Sequence, residues 1–196
     1  MKKPTLYFVL LLVIWGGAAV AAGAFHLLAF LPPASVPILV ALPTIALSIA
    51  SRRSHAAQSV LADLGVRGLI AAHVGRFVGI YFLWLHAQGR LPAEFAYRAG
   101  WGDVASASGA AALLMLNDGP FFRRALLGWN VFGLLDLIVA VGTGAWLNLT
   151  RPGSMIELAS FPATMVPLFL VPLMIASHLV MLRRAPGASV SNEVAA

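Results

Sequence analysis

The chain has 196 residues, of which 60% are hydrophobic and 10% charged, with a formal net charge of +6 and no cysteine. A soluble domain carries about 25% charged residues, and the mean hydropathy here is +0.89. Too few polar side chains exist to cover a water-facing surface, which excludes a soluble enzyme, a disordered chain and a coiled coil. Without cysteine, disulfides, thiolate metal ligands and thiol redox chemistry are excluded as well.

Apolar stretches of the roughly 17 to 25 residues that a membrane helix needs fall at 6–31, 34–50, 68–87, 103–117 (or from 92), 125–147 and 160–182. They predict an all-α polytopic membrane protein: a six-transmembrane-helix bundle forming one domain over 1–184, followed by a disordered cytoplasmic tail over 185–196. Short loops without soluble domains are the style of a bacterial inner-membrane protein.

The first span has a rival reading as a signal peptide, from basic Lys2 and Lys3 and the small residues 18–24. Its apolar character runs on through Phe25–Leu31, longer than such a peptide requires, which favours a retained helix. The second span contains Pro43, and the sixth contains Pro162, Pro167 and Pro172. Each proline removes a helical hydrogen bond, so the sixth span is expected to carry a simple kink with its broken side toward protein. Small residues suited to close helix packing recur at Gly16, Gly17, Ala19 and Gly23, at Gly75 and Gly79, at Ala105 and Gly109, and at Gly128, Gly133 and Ala140.

Placing the N-terminus in the cytoplasm puts Lys2, Lys3, Arg52, Arg53, Arg67, Arg123, Arg124, Arg183 and Arg184 inside. Arg90, Arg98 and Arg151 then lie outside. That asymmetry predicts an N-in, C-in topology. The basic residues sit between apolar spans rather than on one exposed face, so the charge does not indicate nucleic acid. The lipid bilayer is the expected partner, together with a second copy or a larger membrane complex.

Ionisable groups inside a span are costly and are functional candidates by default. His73, Arg76, Asn130, Asp136 and His178 fall in the inner half of the third, fifth and sixth spans. They form the candidate ligand-binding or proton-coupling set. Isolated charges in separate lipid-facing helices are unfavourable, so Arg76 and Asp136 are expected to pair across the bundle. Asp103, following Gly102, reads as the N-cap of the fourth span. Glu94, Tyr97, Arg98 and Trp101 read as an interfacial belt, and His55 as solvated.

His73 and His86 are thirteen residues apart on one helix, with His178 and His26 at matching depths. This spacing resembles the ligand interval of transmembrane b-type cytochromes, a resemblance confined to those histidine positions. It implies two bis-histidine haem b sites, His73 with His178 and His26 with His86, and electron transfer as the activity. The familiar cytochromes, in contrast, draw their ligands from two helices with paired histidines.

Catalytic residues remain unknown from sequence: no HxxxH, HExxH, GxSxG or phosphate-binding glycine loop occurs. No metal site is expected. Ser106 and Ser108 lie near Asp103 with nothing visible to activate them. The two halves of the chain lack matching broken helices, which speaks against a carrier built from inverted repeats. The leading expectation is a polar small-ligand, proton or cofactor site in the inner half of the bundle. Haem-based electron transfer and a structural or accessory subunit are the alternatives.

Overall fold

The computed structural model describes residues 3–32 and 34–184, with side chains from Thr5 onward. The tail at 185–196, expected to be disordered, and Lys2 lie outside the described residues. Among these residues there is no strand. Seven α-helices follow in order: α1 (Lys3–Ala24), α2 (Ser35–Arg53), α3 (His55–Ala72), α4 (Gly79–Ala87), α5 (Ala93–Leu114), α6 (Pro120–Thr150) and α7 (Val171–Arg184). Five segments are long and apolar enough to cross a membrane: Thr5–Ala24, Ser35–Arg53, His55–Ala87, Pro120–Thr150 and Val166–Arg184.

The first helix is shorter than its apolar run. It stops at Ala24, His26 adopts a left-handed φ of 53°, and a 3-10 turn follows over Leu27–Phe30. The apolar residues continue because this turn buries Leu28 against Ala19 and Leu168. The third segment is longer than expected: much of the presumed basic loop is helical, since Ser54 caps α3 by accepting from the Ala57 amide at 3.3 Å. His55 is exposed there. Gly65, with φ 61° and ψ −177°, breaks α3 in a conformation that L side chains rarely adopt.

The largest correction concerns α5. It starts directly after Pro92, the earlier of the two entry points that the sequence offers, so Asp103 lies in mid-helix and does not cap it as expected. Gly100 and Gly102, on either side of Trp101, serve close packing. A Cβ on Gly100 would stand 2.9 Å from Leu83 side-chain atoms and 3.0 Å from the Gly79 carbonyl oxygen. Glu94, Tyr97, Arg98 and Trp101 occupy the opening turns of α5, with Tyr97 and Trp101 exposed.

The sixth segment contains more than a kink. A π-helical turn at Val166–Leu170 carries Pro167, and Pro172 is the second residue of α7. Both prolines are buried, so the interrupted backbone faces protein as expected.

Helix α5 sits centrally, packed on α4, α6 and a 3-10 segment at His73–Val78 that joins α3 to α4; α7 packs on α2 and α6, and α1 lies to the side against α3. Two apolar cores result. One centres on Phe82, Leu85, Phe95 and Leu147, the other on Ile70, Leu113, Phe122 and Met181. Large apolar side chains on α1, α2 and α6, such as Ile14, Leu42 and Ile138, point outward.

Arginines collect at both ends of the bundle, unequally. At one end Arg67 caps α5 through the carbonyls of Leu114 (3.2 Å) and Leu116 (2.7 Å) and pairs with Asp118 at 2.8 Å. Arg183 and Arg184 reach Ser51 and the Leu61 carbonyl at this same end. At the opposite end Arg90 pairs with Glu157 (2.6 Å) and Arg151 with Glu94 (2.7 Å). Arg67, Arg183 and Arg184 thus share one end, and Arg90 and Arg151 the other.

Candidate functional site

Between the two apolar cores lies a cluster of buried polar groups. Two of them, His73 and Arg76, belong to the 3-10 segment His73–Val78. Residues at i and i+3 eclipse in a 3-10 helix, and a run this long in mid-segment is uncommon. The tighter winding thus aims both side chains into the bundle, where His73 is fully buried and Arg76 retains 3% exposure.

The Arg76 guanidinium is divided among three partners. Its Nε donates to Asp103 Oδ1 at 2.7 Å, its Nη1 to the Gly133 carbonyl at 3.1 Å, and its Nη2 to Asp136 Oδ2. The contact expected between Arg76 and Asp136 is therefore present, with a second carboxylate that the sequence reading assigned elsewhere. Glycines make room for it: a Cβ on Gly79 would stand 2.7 Å from Asp103 Cβ, and one on Gly102 would collide with the Asp136 carboxylate.

On the other side of Gly133 lie the histidines. A Cβ there would be 2.7 Å from His178 Cε1, 2.8 Å from its Nε2 and 3.2 Å from Arg76 Nη1, so imidazole and guanidinium share one small space. The rings of His73 and His178 touch, with centroids 4.2 Å apart, and Trp129 packs against both at 5.1 and 5.3 Å. Trp129 is itself held by donating Nε1–H to the Ser106 carbonyl at 2.8 Å.

The hydrogen bonds fix both neutral imidazole tautomers. Asn130 Nδ2 donates to the His178 carbonyl at 3.1 Å, so its Oδ1 accepts from His178 Nδ1. Ser177 spends its hydroxyl proton on the Met174 carbonyl at 2.8 Å, so His73 Nε2 donates to Ser177 Oγ at 2.7 Å. The remaining nitrogens, His73 Nδ1 and His178 Nε2, are buried lone pairs without a partner among the described residues.

All five residues singled out in the sequence meet in this cluster: His73, Arg76, Asn130, Asp136 and His178. Asp103, Trp129 and Ser177 join them unannounced. Asp103 reaches the depth of Arg76 only because α5 starts at Ala93; with the span entered at residue 103 the sequence reads it as a cap.

The bis-histidine arrangement does not hold. Imidazoles at a 4.2 Å centroid separation are in van der Waals contact, leaving no space for a porphyrin between His73 and His178. His26 and His86 serve different surroundings: His26 Nδ1 meets Ser160 Oγ at 3.1 Å, while His86 Nδ1 donates to the Leu91 carbonyl at 2.9 Å and its ring packs on Tyr97. Among the described residues no group of three or more metal-ligating side chains converges. Ser108 bonds back to the Val104 carbonyl, and buried Ser106 Oγ has no partner, so neither serine meets a base.

An apolar cleft of about 340 Å³ reaches this cluster from the end of the bundle that carries Arg90 and Arg151. One wall is the α5 row Phe95, Ala99 and Asp103, and another is the α6 row from Leu137 to Asn148. Among the described residues Asp103 is the one ionisable side chain on its lining, and a small void of about 20 Å³ beside Arg76 also borders Asp103.

No curated protein and no solved structure matches this chain. Residues 33–185, spanning all of the buried cluster and the α5 and α6 walls of the cleft, match a family model described as a domain of unknown function (DUF8737), and the chain belongs to that family.

Proposed function

We propose that this chain is a multi-pass protein of the cytoplasmic membrane, six helices across with both termini on the cytoplasmic side, whose buried Arg76 cluster binds a proton and a small ligand. Five apolar segments and the unequal arginines at the two ends support the topology. For the sixth crossing, α5 has 22 residues, about 33 Å at ~1.5 Å per residue, against a hydrocarbon core of about 30 Å. Its charges do not oppose this: Asp103 is paired, and Glu94 and Arg98 lie in the opening turns.

The observation that carries the functional reading is charge counting around Arg76. One guanidinium lies between two carboxylates, Asp103 and Asp136, each with about a tenth of its side chain accessible. One negative charge is balanced by Arg76; the other calls for a proton or a cation, because an uncompensated charge is costly in such surroundings. Asp103 borders the cleft, so the exchangeable charge has a route to one end of the bundle. His73, Asn130 and His178 complete the site as neutral groups with lone pairs available to a donor.

Infrared difference spectroscopy of the purified protein tests this. Acidification should raise one carboxylic-acid C=O band that is lost or shifted in Asp103→Asn or Asp136→Asn. A spectrum without such a band would leave the cluster a structural pin between helices.

A further inference from the structure

We propose that the cleft is a binding site for a single-chain lipophilic cation, its alkyl body along the α5 and α6 walls and its ammonium head against Asp103. The inference rests on the reading of the Arg76 cluster as a site with one exchangeable charge, and names what other than a proton fills it.

Shape comes first. Phe95, Ala99 and Asp103 are spaced four residues apart on one face of α5, and Leu137 to Asn148 is a twelve-residue stretch of α6. At ~1.5 Å rise per residue the two walls run about 12 and 16 Å along the bundle. A volume of about 340 Å³ drawn out over that length is elongated, and lies within the usual range for small-molecule sites. Its walls are aliphatic and aromatic, so the body of the occupant is a hydrocarbon.

Polarity sets the head. Asn148 stands near the mouth and Asp103 at the floor, with no other ionisable side chain on the lining among the described residues. Asp103 Oδ1 accepts from Arg76 Nε, while the second oxygen takes no hydrogen bond among the described residues and is not a sealed buried atom. The deep end of the cleft therefore offers an acceptor. Arg76 turns Nε and both Nη atoms to Asp103, Gly133 and Asp136, so an anionic head would meet carboxylates before it met the guanidinium. A second cation balances the two carboxylates, and a donor-bearing ammonium does so at hydrogen-bond range. The charged and titratable groups around the position are Arg76, Asp103, Asp136, His73 and His178, each from a different element except His73 and Arg76, which share the 3-10 segment.

The test is equilibrium binding of radiolabelled decylammonium, whose extended length is close to that of the cleft, to the full chain in nanodiscs, with empty nanodiscs as the partition background. The expected result is saturable binding at one site per chain, competed by unlabelled decylammonium at least tenfold better than by decanol or decyl sulfate. Asp103→Asn should weaken it at least tenfold. Ala140→Leu, which fills the α6 wall and leaves the ion cluster intact, should weaken it comparably and keeps the test informative if the aspartate variant does not fold. Equal competition by decanol would overturn the assigned role of Asp103, and absence of saturable binding would overturn the site. Neither result bears on whether the cluster takes up a proton, which the infrared experiment reads without ligand.

Discussion

The imidazoles of His73 and His178 are in contact, with ring centroids 4.2 Å apart and planes inclined by 48°, although one sits on a 3-10 segment and the other on α7. Each spends one nitrogen on a hydrogen bond that orients it and leaves the other bare. The geometry depends on the absence of a side chain at residue 133, where α6 lets His178 and Arg76 approach its backbone together.

Gly133→Ala should therefore destabilise the protein by about 1–3 kcal/mol, the usual cost of overpacking a filled interior. Gly128→Ala, on the same helix with open space around its Cβ position, should be neutral or slightly stabilising by helix propensity. Thermal unfolding in detergent compares the two. Equal behaviour would mean that His178 and Arg76 are not held against α6 as described.

Removing Arg76 leaves two carboxylates buried together, so Arg76→Met should cost about 3–5 kcal/mol. Adding Asp103→Asn and Asp136→Asn should restore part of that loss, with coupling of about 0.5–3 kcal/mol to each aspartate in double-mutant cycles. Additive losses would show that the carboxylates and the guanidinium do not act as one unit. Because Asp103 shares the guanidinium, neutralising Asp136 alone should rescue Arg76→Met less completely than neutralising both.

The pairing of Arg76 with Asp136 was legible in the sequence because lone charges in apolar stretches have few affordable partners, and depth narrows the choice further. Asp103 was not. Its neighbours Gly100 and Gly102 resemble a helix start, and only the packing of α4, α6 and Asp136 against those glycines reveals them as points of close approach. Hydropathy likewise placed six spans, five of which coincide with segments long and apolar enough to cross a membrane, but not the limits of α1 or the extension of α3 back to His55, since an apolar run does not say whether Leu28 is in a helix or a turn. The tautomers of the histidines depend on Asn130 and on the unremarkable Ser177. The cleft had no sequence signal at all, because the residues that line a void are of the same kinds as those that fill a core.

Topology can be read cleanly because the chain has no native cysteine. His55→Cys and Gln88→Cys place single thiols at exposed positions near opposite ends of the segment His55–Ala87. With the cytoplasmic side assigned to the end rich in arginine, a membrane-impermeant maleimide applied to intact cells should label Gln88→Cys. His55→Cys should react only after permeabilisation. The reverse pattern would invert the orientation.

The central claim, that two carboxylates around Arg76 hold one exchangeable proton, is tested most directly by counting protons. Purified protein in weak buffer, titrated from about pH 8 to pH 5, a window around the charge changes of buried carboxylates, should take up about one proton more per chain than the folded Asp103→Asn, Asp136→Asn double variant. An identical uptake by both proteins would contradict the account.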